Sequence, residues 1–190
     1  MASKSDNVVS VAFDMMQTQP LPKLGVTDVF FCLQVWLYNI TFVINSKGIE
    51  NPNTCYTNTW LETESGRGPD DVCSALMSFL TNLENKIKIE LSPENYPKIL
   101  NLFSDSCSAQ NKNKYMIKTL LYYVNYKITI FNEVNHIFPV CGHRYMPPDR
   151  VFGRIEQKLR KKENNVSPNQ YYEIFKEEFT VFVYGNIFLV

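Results

Sequence analysis

The sequence has no excess of charge of either sign. Its 19 Lys and Arg residues balance 19 Asp and Glu residues. Bulk electrostatics therefore does not mark a nucleic-acid or membrane-surface binder, and any basic surface must be local. The chain also has no cysteine pattern. Its 5 cysteines (Cys32, Cys55, Cys73, Cys107 and Cys141) are odd in number and include no C-x-x-C pair. That excludes a disulfide frame or a zinc site, and it reads as the reduced thiols of an intracellular protein, nuclear or cytoplasmic. There is no long hydrophobic run. The longest, Val29 to Ile44, is broken by Gln34, Asn39 and Thr41, so it is too short and too polar for a membrane helix, and no membrane partner is expected. The first residues, Met-Ala-Ser-Lys-Ser-Asp, contain no apolar signal core. No phosphate-binding glycine loop, no Gly-x-Ser-x-Gly elbow, no internal repeat and no low-complexity segment is present.

What is present suits one domain with a core of normal size, because 45% of residues are apolar. Val8 to Phe13 is short and β-rich, and reads as a buried strand. Gln17 to Gly25 is a proline-bounded loop. Val29 to Asn45 reads as one long or bent strand, and Thr54 to Glu62 as a third. Pro69 opens a helix with Asp70 and Asp71 in its first turn. Its apolar face carries Val72, Leu76, Phe79, Leu80 and Leu83. A strand ending at Asp105 follows. The next helix opens at Asn111-Lys-Asn113, with Met116, Leu120, Tyr123 and Val124 inward. Ile128 to Phe138 reads as a fifth strand. Pro147-Pro148 opens a third helix with Val151, Phe152, Ile155 and Leu159 on one face. The order is β-β-β-α-β-α-β-α. That is the order of a ribonuclease H-like α/β fold, a five-stranded mixed sheet with helices on both faces. Residues 1–165 would form this core, and 166–190 a helix and strand extension.

Three acids stand out against this frame. Asp14 and Asp105 each end an apolar strand, and in such a fold those strands are neighbours. Asp149 lies in the first turn of the third helix, at the border of its apolar arc. Carboxylates that close repel unless a cation lies between them. Mg²⁺ or Mn²⁺ wants oxygen ligands and keeps several waters, so two or three carboxylates suffice. Two such ions can drive phosphodiester cleavage. Glu156 falls on the same helical stripe as Asp149 and is the alternative third ligand. Each acid alone has a plainer reading, since Asp is common after strands and in first turns.

Local positive charge exists despite the neutral total. Arg150, Arg154, Lys158 and Lys161 share one side of the third helix and could follow a phosphate backbone. A solvated helix face produces the same pattern. Lys112 and Lys114 form a smaller group near Asp105. His143, with Arg144 beside it, could contact a phosphate or orient a carboxylate. His136, Trp36 and Trp60 read as structural.

Five ordered blocks then carry a family resemblance. They are Phe13-Asp-Met-Met-Gln-Thr-Gln-Pro-Leu-Pro-Lys-Leu24, Gln34-Val-Trp-Leu-Tyr-Asn39, and Trp60-Leu-Glu with Gly66-Arg-Gly-Pro-Asp-Asp-Val72. Ser104-Asp-Ser-Cys-Ser-Ala-Gln-Asn-Lys-Asn113 follows, then Gly142-His143 with Pro147-Pro-Asp-Arg-Val-Phe-Gly-Arg-Ile-Glu156. Over roughly residues 8–165 the chain resembles an uncharacterised domain family of transposon-derived reading frames in animal genomes. That family is similar to the DDE-type transposase or integrase core. The resemblance implies an acidic triad of Asp14, Asp105 and Asp149, with His143 beside it. It also implies divalent ions, DNA as partner (transposon ends or target) and a homo-oligomer. The short lead before the first strand and the abrupt apolar end read as a truncated copy. Three readings stay open: a metal-dependent strand-transfer core, a non-catalytic remnant that binds nucleic acid or protein, or a plain ribonuclease.

Overall fold

The computed structural model describes residues 7–23, 34–44, 54–127, 129–139, 146–162 and 167–183. These residues form a mixed sheet flanked by helices. The strands are β1 (Val8–Met15), β2 (Gln19–Leu21), β3 (Val35–Ile44), β4 (Cys55–Leu61), β5 (Ile99–Phe103), β6 (Glu133–Ile137) and β7 (Thr180–Val183). The helices are α1 (Pro69–Glu90), α2 (Lys114–Tyr126), α3 (Pro147–Lys161) and α4 (Pro168–Lys176). The sheet runs β6-β5-β1-β3-β4-β7, and β2 also pairs with β3. Strands β1, β3 and β4 are antiparallel, while β5 is parallel to β1 and β6 to β5.

The expectation of five strands is corrected to seven. The loop expected at Gln17 to Gly25 contains β2, which pairs Gln19 with Leu37 and Leu21 with Val35. It takes up the edge of β3 that β1 leaves after pairing Met15 with Ile40. Proline is tolerated in so short a segment because a partner on one side only asks for few of its amides. The seventh strand comes from the C-terminal extension: β7 lies parallel to β4 and pairs Thr57 with Val181. Helix α4 leads into that strand and packs against it.

Alternation along β3 decides what covers each face. Ile40 and Phe42 join one core with Val72, Leu76, Phe79 and Leu80 of α1 and with Met116 and Tyr123 of α2. Leu37 and Val43 join a second core with Val151, Phe152, Ile155 and Leu159 of α3 and with Tyr171, Ile174 and Phe175 of α4. Burying one such side chain contributes about 1.5–3 kcal/mol. Trp60 is fully buried, and its indole donates to the Gly66 carbonyl at 2.6 Å. Trp36 differs from its structural reading, since it stays 37% exposed.

Helix starts follow from local chemistry. Asn113 caps α2 by accepting from the Tyr115 and Met116 amides, both at 3.0 Å. Asp71 caps α1 by accepting from the Gly68 amide at 2.8 Å. Glu84 of α1 is buried and accepts from Tyr123 of α2 and from Thr129, the latter at 2.8 Å. This polar link fixes α1 against α2 and against the segment that leads into β6. No helix among the described residues is long and apolar enough to cross a membrane.

Candidate functional site

Parallel pairing of β1 with β5 sets the site. Val8 faces Ile99, and the register runs on to Ala12 opposite Phe103. Asp14 follows Ala12 by two residues, and Asp105 follows Phe103 by two. The two acids therefore continue one register past the end of the paired ladder, on the same face. Asp14 also pairs with Thr41 of β3. Thr41 belongs to a buried polar group with Asn39, Thr57 and Thr59 in the middle of the second core face. The Thr41 hydroxyl donates to Asn39 Oδ1 at 2.9 Å, while Asn39 Nδ2 has no partner. Asp14, itself half-buried, thus stands where a buried polar strip meets the strand ends.

Its electrostatics follow. Burial pushes the Asp14 carboxyl up to about 7, the charge of Asp105 adds to this, and the Met15 amide (2.8 Å) works against it. The charge of Asp149 raises it further. So Asp14 lies within the fields of both other acids. Glu156 is not among the charges that act on Asp14. It pairs with Arg160 at 3.7 Å and lines a small 250 Å³ pocket beside Gln17 to Pro20.

Each acid has one oxygen held. Asp14 Oδ1 takes the Met15 amide. Asp105 Oδ1 takes Asn111 Nδ2 at 2.5 Å and the Cys107 amide at 3.3 Å. Asp149 Oδ2 takes the Met146 amide at 2.7 Å, which closes the first turn of α3, where Met146 itself offers no capping oxygen. No hydrogen bond to the second oxygen of any of the three occurs among the described residues. No three acidic, histidine or cysteine side chains among the described residues lie together as a ready metal-ligand set.

Asn111 carried no expectation from the sequence, yet it holds Asp105. The loop from Asp105 to Asn113 winds around one carbonyl: Cys107 O accepts from the amides of Gln110, Asn111 and Lys112 at 3.2, 2.8 and 2.9 Å. That turn buries Asn111 and aims its amide at Asp105. The separation of six residues within a run of small polar residues was the only sequence signal. His136 also sits close to the strand ends, on the opposite sheet face. Its Nε2 lies 2.9 Å from Ser104 Oγ, its ring stacks on Phe13, and burial lowers its pKa to about 4. A neutral, packed imidazole agrees with its structural reading. His143 and Arg144 lie outside the described residues.

The cations divide sharply. Arg154 Nε bonds Glu178 at 2.7 Å, and Lys158 Nζ bonds Glu177 at 2.7 Å and Glu178 at 2.8 Å. Two members of the expected basic stripe thus face carboxylates that follow α4, rather than open solvent. Lys161 is exposed, and so is Arg150. Lys112 and Lys114 are exposed at the start of α2, and no carboxylate pairs with them among the described residues. Lys112 Nζ instead lies 5.2 Å from the centre of the Phe138 ring.

Comparison with known proteins places the chain in one family. The model of a domain of unknown function, DUF7869, matches residues 46–184, and the chain belongs to that family. Asp105 and Asp149 fall inside the matched span, and Asp14 precedes it. No curated protein and no solved structure matches the chain.

Proposed function

We propose that this chain is a transposase-derived core of ribonuclease H-like type, which cleaves and joins DNA strands with two divalent ions, Mg²⁺ or Mn²⁺. Asp14 and Asp105 would hold the ions, and Asp149 would complete the set. The observation that carries this reading is the parallel register of β1 and β5, which sets Asp14 and Asp105 on one face just past the paired strand ends; burial and the two other acids push the Asp14 carboxyl up there. Carboxylates crowded at strand ends oppose one another, and a divalent cation relieves that repulsion. The donor chemistry suits hard cations, because each acid has one oxygen tethered and the other without a hydrogen bond among the described residues. The strand order supports the same reading: the antiparallel strands β1, β3 and β4, with short β2 on β3, come first, and parallel β5 and β6 extend the sheet from β1. Asp149 is favoured over Glu156, since it acts on Asp14 while Glu156 pairs with Arg160.

Divalent ions at this position would supply charge neutralisation of the phosphodiester and an acidified water. The chain's own residues do the positioning. Asn111 and the Cys107 amide orient Asp105, and the first turn of α3 orients Asp149. Lys112 and Lys114 would hold the strand beside Asp105.

The second reading, a non-catalytic remnant that binds nucleic acid or protein, has its own support. Asp149 caps its helix, and no acids among the described residues are gathered into a ligand set. Nicking of plasmid DNA in Mn²⁺ separates the two. The strand-transfer reading expects nicking by the wild type and none by Asp14→Asn or Asp105→Asn, with all three proteins folded. Equal nicking by Asp14→Asn, or none by the wild type, would overturn it.

A further inference from the structure

Between α2 and the edge strand β6, on the sheet face opposite the acids but joined to Asp105 through Asn111, lies a groove of about 770 Å³. We infer that this groove binds unpaired nucleotides of a single-stranded nucleic acid, with base faces on its apolar floor and phosphates on Lys112 and Lys114. The inference rests on the nucleic-acid part of the reading above, but not on any cleavage chemistry.

The groove's walls are apolar. Leu120, Leu121 and Val124 of α2 face Val134 of β6, and Phe138 follows that strand. A volume of this size lies in the range that takes a small organic ligand, which leaves room for a base with its sugar. The helix that forms one wall is unusually apolar on its open side, with Ile117 61% and Leu121 56% exposed. On most monomers such a patch marks a binding surface.

Charge chooses the occupant. Lys112 and Lys114 stand at the end nearest Asp105, and neither meets a carboxylate among the described residues. The one carboxylate in the lining is Glu133, which is turned to Asn135 at 2.7 Å. An apolar floor with an uncompensated cationic end complements a polyanion that carries flat apolar faces. A duplex hides those faces within its own stack, whereas a single strand offers them. Lys112 already lies over the Phe138 ring, so cation and aromatic surface meet within one nucleotide's reach.

Asn111 joins the groove to the acids. It lines the groove and donates to Asp105 through Nδ2. It is 2% exposed, and its Oδ1 has no partner. The bond to Asp105 fixes which end of the amide is left over. The leftover atom is an acceptor, and a base brings amino and imino donors. Small local opening would let one of them pair there.

The test is fluorescence anisotropy with a labelled oligodeoxythymidine in EDTA, which stops metal chemistry. We expect wild-type binding that weakens as salt rises. Lys112→Ala with Lys114→Ala lowers the slope of log affinity against log salt by about 1.4. Phe138→Ala weakens binding about tenfold. Lys176→Ala, which removes an exposed charge on α4 outside the groove, binds as the wild type does. If the wild type binds the strand but nicks nothing in Mn²⁺, the groove stands and the catalytic reading falls. The inference is overturned if the two lysines and Phe138 can be replaced without effect, or if a duplex of equal length binds more tightly. Self-association in sedimentation, with no strand bound, overturns it as well. The exposed lysines test it even if Phe138→Ala fails to fold.

Discussion

Helices α2 and α3 both carry apolar and basic residues, and the fold uses them differently. On α3 the apolar residues Val151, Phe152, Ile155 and Leu159 are buried. Its cations Arg154 and Lys158 close onto Glu177 and Glu178. On α2 only Met116 and Tyr123 are buried, and Ile117, Leu121, Tyr122 and Tyr126 are open. Its cations find no carboxylate among the described residues. Helix α3 spends its side chains on holding the fold, whereas α2 keeps a face in reserve. A helical stripe in a sequence therefore reports what the helix carries. What stands opposite decides whether that stripe is structural.

The largest expected effect sets the two apolar faces against each other. Ile155→Ala should lower unfolding free energy by about 2–5 kcal/mol, because it empties a filled core position. Leu121→Ala, at 56% exposure, should change it by less than about 0.5 kcal/mol. Denaturant titration of both variants checks this. A comparable loss for Leu121→Ala would mean that the open face of α2 is covered in solution.

Beside the first turn of α3, the acids oppose the fold where the cations support it. Asp14 is raised from 3.8 to about 7. A raised carboxyl binds its proton more tightly in the folded state. Its contribution is therefore fully favourable below the unfolded value and is lost as pH rises through the folded one. Stability without metal should fall by a few kcal/mol between about pH 4 and 7 from this group alone. Asp14→Asn should flatten that fall, and melting curves across the range read it directly. An unchanged pH profile in the variant would remove Asp14 as its source.

A smaller effect comes from the ion pairs. Burial disfavours the Glu178 charge, but hydrogen bonds from Lys158 and Arg154 outweigh it and hold the carboxyl below its ordinary value. Its stability is present above the unfolded pKa and is lost as pH falls through the folded one. Glu178→Gln should cost about 1 kcal/mol at neutral pH, with the loss vanishing in acid. Lys114→Ala on α2 should cost nothing measurable in the same denaturant titration. If Glu178→Gln is also silent, the two sets of cations are equivalent and the contrast between the helices fails.

Most elements were legible because their boundaries are written in local chemistry. Prolines at 69 and 147 open α1 and α3, and Asn113 caps α2. The β-rich run before Asp14 forms β1, and the run before Asp105 forms β5. Strand β2 was hidden because Gln-Pro-Leu carries a turn signature, and only the free edge of β3 makes it a strand. Strand β7 was hidden in another way. Its residues look β-rich, but nothing local says that they join β4. Asp14 and Asp105 could be paired in advance from element order alone. The role of Asn111 could not, because it depends on how the loop winds around Cys107. The pairing of Arg154 and Lys158 was equally invisible, because their partners follow α4 across a turn of the chain.

The central claim is that Asp14, Asp105 and Asp149 act as one cation site. The most direct test is the melting temperature at pH 7.5 with and without Mn²⁺, for wild type and Asp14→Asn. A ligand that binds only the folded state raises stability, by an amount that grows with the logarithm of its concentration over its dissociation constant. The account predicts that Mn²⁺ raises the wild-type melting temperature and leaves that of Asp14→Asn unchanged. A wild type indifferent to Mn²⁺, or a variant that responds as strongly, would contradict it.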